Sequence, residues 1–169
     1  MKKLMFSVFM LFGMMLCTQG QDISKNAIGL RLGDSDGFGA EVSYQRGLSQ
    51  KNRLEFDLGW RNRNNYYYNN ARFVKLTGLY QWVWNIEGDF NWYVGAGGGI
   101  ANGSYNYKDE GKRYTDNYTY AFIAGDIGIE YLFDFPLQLS LDFRPEVYFS
   151  DRVKDDYGSD IGISARYRF

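Results

Sequence analysis

Reactive side chains are scarce in this sequence. It has no histidine, and its single cysteine, Cys17, lies near the amino terminus. Without imidazole or thiol in the body of the chain, the usual activated nucleophiles are missing. Carboxylate chemistry remains. Glu55 and Asp57 share one face of an alternating segment and could in principle act as acid and base, but Arg53 and Arg61 flank them there, and ion pairing is the simpler account. Acids cluster at Asp109, Glu110 and Asp116 and again at Asp151, Asp155 and Asp156; neither spacing matches a calcium loop, and solvated charge is the default. The run Gly97-Gly98-Gly99 lacks the Lys-Ser/Thr of a phosphate loop and no helical pattern follows, so it reads as a place where a strand bends. The sequence therefore predicts no catalytic residue, no metal site and no cofactor.

The amino terminus reads as a secretion address. Lys2 and Lys3 precede an apolar run over residues 4–16, and Thr18 and Gly20 supply small residues for cleavage before Gln21. This predicts a signal peptide over 1–20 and one domain over 21–169. Cys17 as a lipid-anchor cysteine is disfavoured by Leu16, which stands where such leaders carry a small residue. The leader takes two of the 19 basic residues and none of the 20 acidic ones, so the mature chain is slightly acidic and offers no case for nucleic-acid binding.

The polar residues sit on segments of period two. Aromatics make up 19% of the chain, with 15 Tyr, 20 Gly and only 2 Pro, which suits strands and turns better than helices. Alternation predicts eight strands, over 27–33, 38–45, 53–61, 72–84, 90–101, 119–132, 137–149 and 159–169. Connections after the second, fourth and sixth are short; those after the third, fifth and seventh are long, the longest being 102–118. Pro145 cannot donate to a ladder and predicts a bulge or the strand's exit from the membrane zone.

Each strand then has a greasy and a polar face. On the greasy face, aromatics gather near the short turns (Tyr44, Trp82, Trp84, Phe90, Trp92, Tyr131, Phe133, Tyr167, Phe169) and near the long loops (Phe38, Trp60, Phe73, Tyr120, Phe149). Aliphatic residues such as Leu30, Leu58, Val94, Leu141 and Ile163 lie between. Two aromatic belts around an aliphatic band are what a bilayer selects. The polar face carries Arg31, Arg53, Arg61, Lys75, Arg144, Arg166 and Arg168 with Glu41, Glu55, Asp57, Asp126, Glu130, Asp142, Glu146 and Asp160. Both signs in a narrow eight-stranded lumen predict an ion-pair network and a plugged interior. The competing reading is a soluble sandwich or a lipocalin-like barrel, with the apolar face turned inward.

The ending Ser-Asp-Ile-Gly-Ile-Ser-Ala-Arg-Tyr-Arg-Phe resembles the closing strand of bacterial outer-membrane β-barrels. That resemblance implies that Phe169 and Tyr167 form the signal read by the barrel-assembly machinery. The whole pattern is similar to small barrels of the OmpA/OmpX type. The Gly-rich fifth strand, the segment Leu-Ser-Leu-Asp-Phe-Arg-Pro at 139–145 and the ending Ile-Ser-Ala-Arg-Tyr-Arg-Phe at 163–169 look most like barrel families common in Bacteroidetes. The expectation is an all-β, eight-stranded antiparallel up-and-down transmembrane β-barrel, monomeric, in the outer membrane of a Gram-negative bacterium. Its partners would be lipid and lipopolysaccharide, whose phosphates Arg63, Arg72, Lys112 and Arg113 could meet at the rim.

Three roles differ in what they ask of such a chain. A structural or surface-binding, adhesive module would use its Tyr/Asn loops, Asn64, Asn65, Tyr66, Tyr67, Tyr68, Asn69 and Asn70 with Tyr105, Tyr107 and Tyr114, toward an extracellular ligand; merely soluble loops are the plainer reading. A porin-like channel for small solutes is the alternative, opposed by the narrow interior. An enzyme comes third, because small barrel hydrolases, acyltransferases and proteases rely on histidine.

Overall fold

The computed structural model describes residues 23–33, 39–63, 69–109, 112–149 and 156–169. Among them the chain forms eight strands: β1 (Asn26–Gly33), β2 (Ala40–Gly47), β3 (Asn52–Arg63), β4 (Asn69–Glu87), β5 (Phe90–Asp109), β6 (Lys112–Leu132), β7 (Leu137–Phe149) and β8 (Tyr157–Arg168). Each pairs antiparallel with its sequence neighbour, and β1 pairs with β8, so the sheet closes into a barrel. Closure runs from Ala27 opposite Arg168 to Gly33 opposite Gly162. A closed sheet leaves no edge, and every backbone polar group of the wall can find a partner within it. The predicted leader, and Phe38, lie outside the described residues.

Short turns join β2 to β3, β4 to β5 and β6 to β7 at one end, called here the turn end. At the β4–β5 turn Gly88 takes φ +54°, a left-handed conformation that a side chain would strain. The Asn85 side-chain amide fastens that turn by donating to the Gly88 carbonyl at 2.7 Å.

At the other end, the loop end, β3, β4, β5, β6 and β8 outrun their expected lengths. The stretch expected as the longest loop, 102–118, is instead mostly ladder: Tyr105 faces Asp116, and Tyr107 faces Tyr114. Tyr and Thr have high strand propensity, and here that outweighs the polarity that made the stretch read as loop. β4, β5 and β6 reach 19, 20 and 21 residues, against 8 each for β1 and β2. Pro145 causes no bulge. The β6–β7 ladder keeps one register on both sides of it, from Ala124 opposite Glu146 to Ile127 opposite Phe143, while on its other side Pro145 stays paired with Ser159 of β8.

The faces are inverted relative to a water-soluble protein. Arg31, Arg144 and Asp57 are 0% exposed, whereas Ile163 is 61% and Leu30 52% exposed. The soluble alternative, with Leu58, Leu141 and Ile163 packed at a shared centre, does not hold: all three lie on the outer wall. Two aromatics assigned to the outer belt belong to the interior instead. Phe73 packs edge-on against Tyr118, and Tyr120 against Tyr148, beside a small apolar cluster of Leu79, Phe122 and Ala124. Strict alternation carries both inward, since Phe73 has the parity of buried Lys75 and Tyr120 that of buried Phe122.

Candidate functional site

The inward faces of all eight strands meet in one bonded network. Arg31 on β1 reaches across to β7, where its Nε donates to Asp142 Oδ2 at 3.0 Å and its Nη2 to the same oxygen at 2.5 Å. Its Nη1 donates to Asp160 on β8 at 2.5 Å and to Glu41 on β2 at 3.3 Å. Arg144 on β7 answers from the other side, with Nη2 donating to Asp57 at 2.6 Å and to Glu55 at 3.3 Å, and Nη1 to Glu41 at 3.3 Å. Glu41 therefore bridges two guanidinium groups. Arg166 adds an ion pair to Glu55 at 3.1 Å and donates to the Ser43 and Ser140 hydroxyls at 2.8 and 2.9 Å.

Neutral amides link this cluster to a second one nearer the turn end. Arg53 donates to Glu130 and to Gln81, each at 2.6 Å. Gln81 donates onward to Asp126 at 2.5 Å and to Glu55 at 3.2 Å. Gln138 ties Glu130 to Gln45, and Gln45 donates to Glu55 at 2.5 Å. Nearer the loop end, Lys75 pairs with Glu146 and lies 4.8 Å over the Phe122 ring, while the Tyr148 hydroxyl donates to Glu146 at 3.1 Å.

Inward glycines make room for these long side chains. A Cβ on Gly162 would fall 2.5 Å from Arg31 Nη2, one on Gly128 would meet the Tyr93 ring, and one on Gly99 the Phe122 ring. A close-packed interior has no slack for an added methyl, so the glycines are part of the fit.

The expected network residues separate by position. Arg31, Glu41, Glu55, Asp57, Lys75, Asp126, Glu130, Asp142, Arg144, Glu146 and Arg166 are buried in the lumen. Arg61 is half-buried near the loop end of β3 and has a partner of its own. Arg168 departs from the expected ion pairing: at the rim its Nη2 donates to the carbonyls of Phe133 and Phe135, at 2.5 and 3.2 Å. Glu55 and Asp57, the pair that could act as acid and base, are both buried and both ion-paired to Arg144, at 3.3 and 2.6 Å.

Gln45, Gln81, Asn91 and Gln138 are buried among the network charges; period-two alternation places them on the inner face, but sequence spacing does not show which carboxylate each one meets. Among the candidate loop residues, Tyr105, Tyr107 and Tyr114 lie on the β5–β6 hairpin. Asn69 and Asn70 open β4, and Asn64, Asn65, Tyr66, Tyr67 and Tyr68 fall outside the described residues, as do Glu110, Asp151 and Asp155.

At the turn end aromatic rings line the outer wall. Trp84 stacks on Trp92 with centroids 4.7 Å apart, and Phe90, Tyr131, Phe133 and Phe135 continue the row. Tyr167 and Phe169 are exposed and stacked at 6.3 Å, and the Phe169 backbone exchanges two hydrogen bonds with Asn26.

Solved structures of the same fold are small surface and outer-membrane barrels. Neisserial surface protein A superposes with a TM-score of 0.60 at 12% identity, over 85% of this chain and 94% of its own. Ail, the attachment invasion locus protein of Yersinia pestis, gives 0.56 at 14% identity, over 86% of this chain and 97% of its own. The amino-terminal barrel domain of Pseudomonas aeruginosa OprF gives 0.54 at 16% identity, over 89% of this chain and all of its own. No protein-family model matches the sequence, and no curated protein does. At these identities the likeness establishes the fold alone, a closed eight-stranded antiparallel β-barrel.

Proposed function

We propose that this protein is an integral outer-membrane barrel with a plugged lumen, acting at the cell surface as a structural or ligand-binding module through its loop end. The observation that carries the reading is the inversion of the two faces. Leu30, Leu58, Leu76, Ile127, Leu141 and Ile163 form an exposed apolar wall around the barrel, far larger than a water-soluble monomer tolerates, while the charges are inside. Hydrocarbon satisfies such a wall, and the rings at the turn end suit the interface. By the usual orientation of this architecture the short turns face the periplasm and the long hairpins the medium.

The filled lumen argues against solute passage, because guanidinium groups from β7 and β8 cross it to carboxylates on β3, and Arg31 from β1 joins carboxylates on β2, β7 and β8. What is left for function is the loop end. Ail has been solved with the heparin analogue sucrose octasulfate, so a barrel of this fold can hold a ligand. Here that role would fall to Asn64, Asn65, Tyr66, Tyr67 and Tyr68 and to the β5–β6 hairpin with Tyr105, Tyr107 and Tyr114, where rings give contact area and amides give hydrogen bonds. Tyr167 and Phe169 would serve assembly in the membrane, where the barrel stays monomeric among lipid and lipopolysaccharide. The test is adhesion of intact cells to glycan- and protein-coated surfaces before and after trimming 64–70 and changing the three hairpin tyrosines to Ala. Reduced adhesion supports the binding role; unchanged adhesion on every surface leaves the structural one.

A further inference from the structure

Near the turn end the outer wall carries a groove of about 260 Å³, lined by Phe90, Ile129, Tyr131, Leu139, Leu141 and Ile163. Register explains it. Phe90, Tyr131 and Leu139 stand side by side on one rung, and Ile129, Leu141 and Ile163 on the next. Glu130 and Ser140, which also border the groove, turn their side chains into the lumen and are buried there. The lining is therefore hydrocarbon and ring edge, with no polar group to orient a polar ligand.

We infer that this groove holds one acyl chain of a phospholipid from the periplasm-facing leaflet. The inference rests on the membrane reading above and deepens it. The groove is continuous with the apolar wall, so its occupant is whatever covers that wall. At its end toward the turns stand the Phe90 and Tyr131 rings, 4.7 Å apart, and these mark the headgroup level at that end. A chain entering there hangs from a headgroup on the periplasmic side, where phospholipid rather than lipopolysaccharide forms the leaflet. A concave apolar site retains a chain longer than the convex wall does, because more of each methylene leaves the bulk lipid for close contact.

Native mass spectrometry of the full mature chain tests this. The barrel is refolded in vesicles of phosphatidylethanolamine and phosphatidylglycerol doped with lipopolysaccharide, then moved into detergent. The expected result is one phospholipid retained per barrel, with the retained fraction falling at least tenfold in Leu141→Trp, which fills the groove, and unchanged in Leu58→Trp, exposed on β3 outside the groove. Ile163→Trp fills the same groove should Leu141→Trp fail to fold. Equal retention in the groove and wall variants, or retention of lipopolysaccharide alone, overturns the proposal. Failure of the membrane reading itself looks different: the wild type would then not enter vesicles at all.

Discussion

Arg31 lies directly over Gly162, so that a Cβ at position 162 would sit 2.5 Å from its Nη2 and 2.6 Å from its Nε. The glycine is what lets the guanidinium reach Asp142, Glu41 and Asp160 together. Gly162→Ala should therefore push Arg31 out of place and cost ~1–3 kcal/mol, the usual range for overpacking. The midpoint of urea unfolding in vesicles, followed by the heat-dependent gel shift of folded barrels, reads the loss directly.

Arg144 serves Glu41, Glu55 and Asp57 at once, all of them buried. Arg144→Met leaves three carboxylates short of their partner and is expected to cost ~3–5 kcal/mol. Arg168→Met removes only bonds to rim carbonyls, worth about 1 kcal/mol. Equal losses in the two variants would contradict the division between lumen and rim.

On the outer wall the cost of a charge substitution depends on depth. Leu58→Arg, in the aliphatic band, should destabilise the barrel in vesicles by ~2–4 kcal/mol. Leu48, exposed in the β2–β3 turn, should accept Arg at roughly 0–1 kcal/mol. The pair of unfolding curves in one lipid gives the comparison.

In planar bilayers the wild type is expected to give no stable conductance steps, since side chains fill an interior of this width. Large, long-lived steps would mean that the Arg31 and Arg144 struts open.

The faces of the barrel were legible because a period of two fixes them. Once Leu54, Phe56 and Leu58 are outward, Arg53, Glu55 and Asp57 must be inward, and nothing in the structure disturbs that parity. Strand ends were less legible. Tyr105, Tyr107 and Tyr114 sit in a polar stretch whose extension depends on each strand of the hairpin supporting the other, a non-local effect that composition hides. Phe73 and Tyr120 were drawn to the outer belt by being aromatic, although their parity pointed inward. The linking role of Gln45, Gln81 and Gln138 was hidden for a different reason: which carboxylate each amide meets depends on how far across the lumen the side chains reach.

The central claim is that hydrocarbon touches the greasy face of every strand. Cys17 is the sole cysteine and lies in the predicted leader, so single cysteines at Leu30, Leu58, Ile127 and Ile163 can carry a fluorophore around the full circumference of the mature barrel. In vesicles, the account predicts quenching at all four by phospholipid brominated in mid-chain, and none by aqueous iodide. Iodide quenching without a bromine effect at Leu58 and Ile163 would mean that the wall faces water.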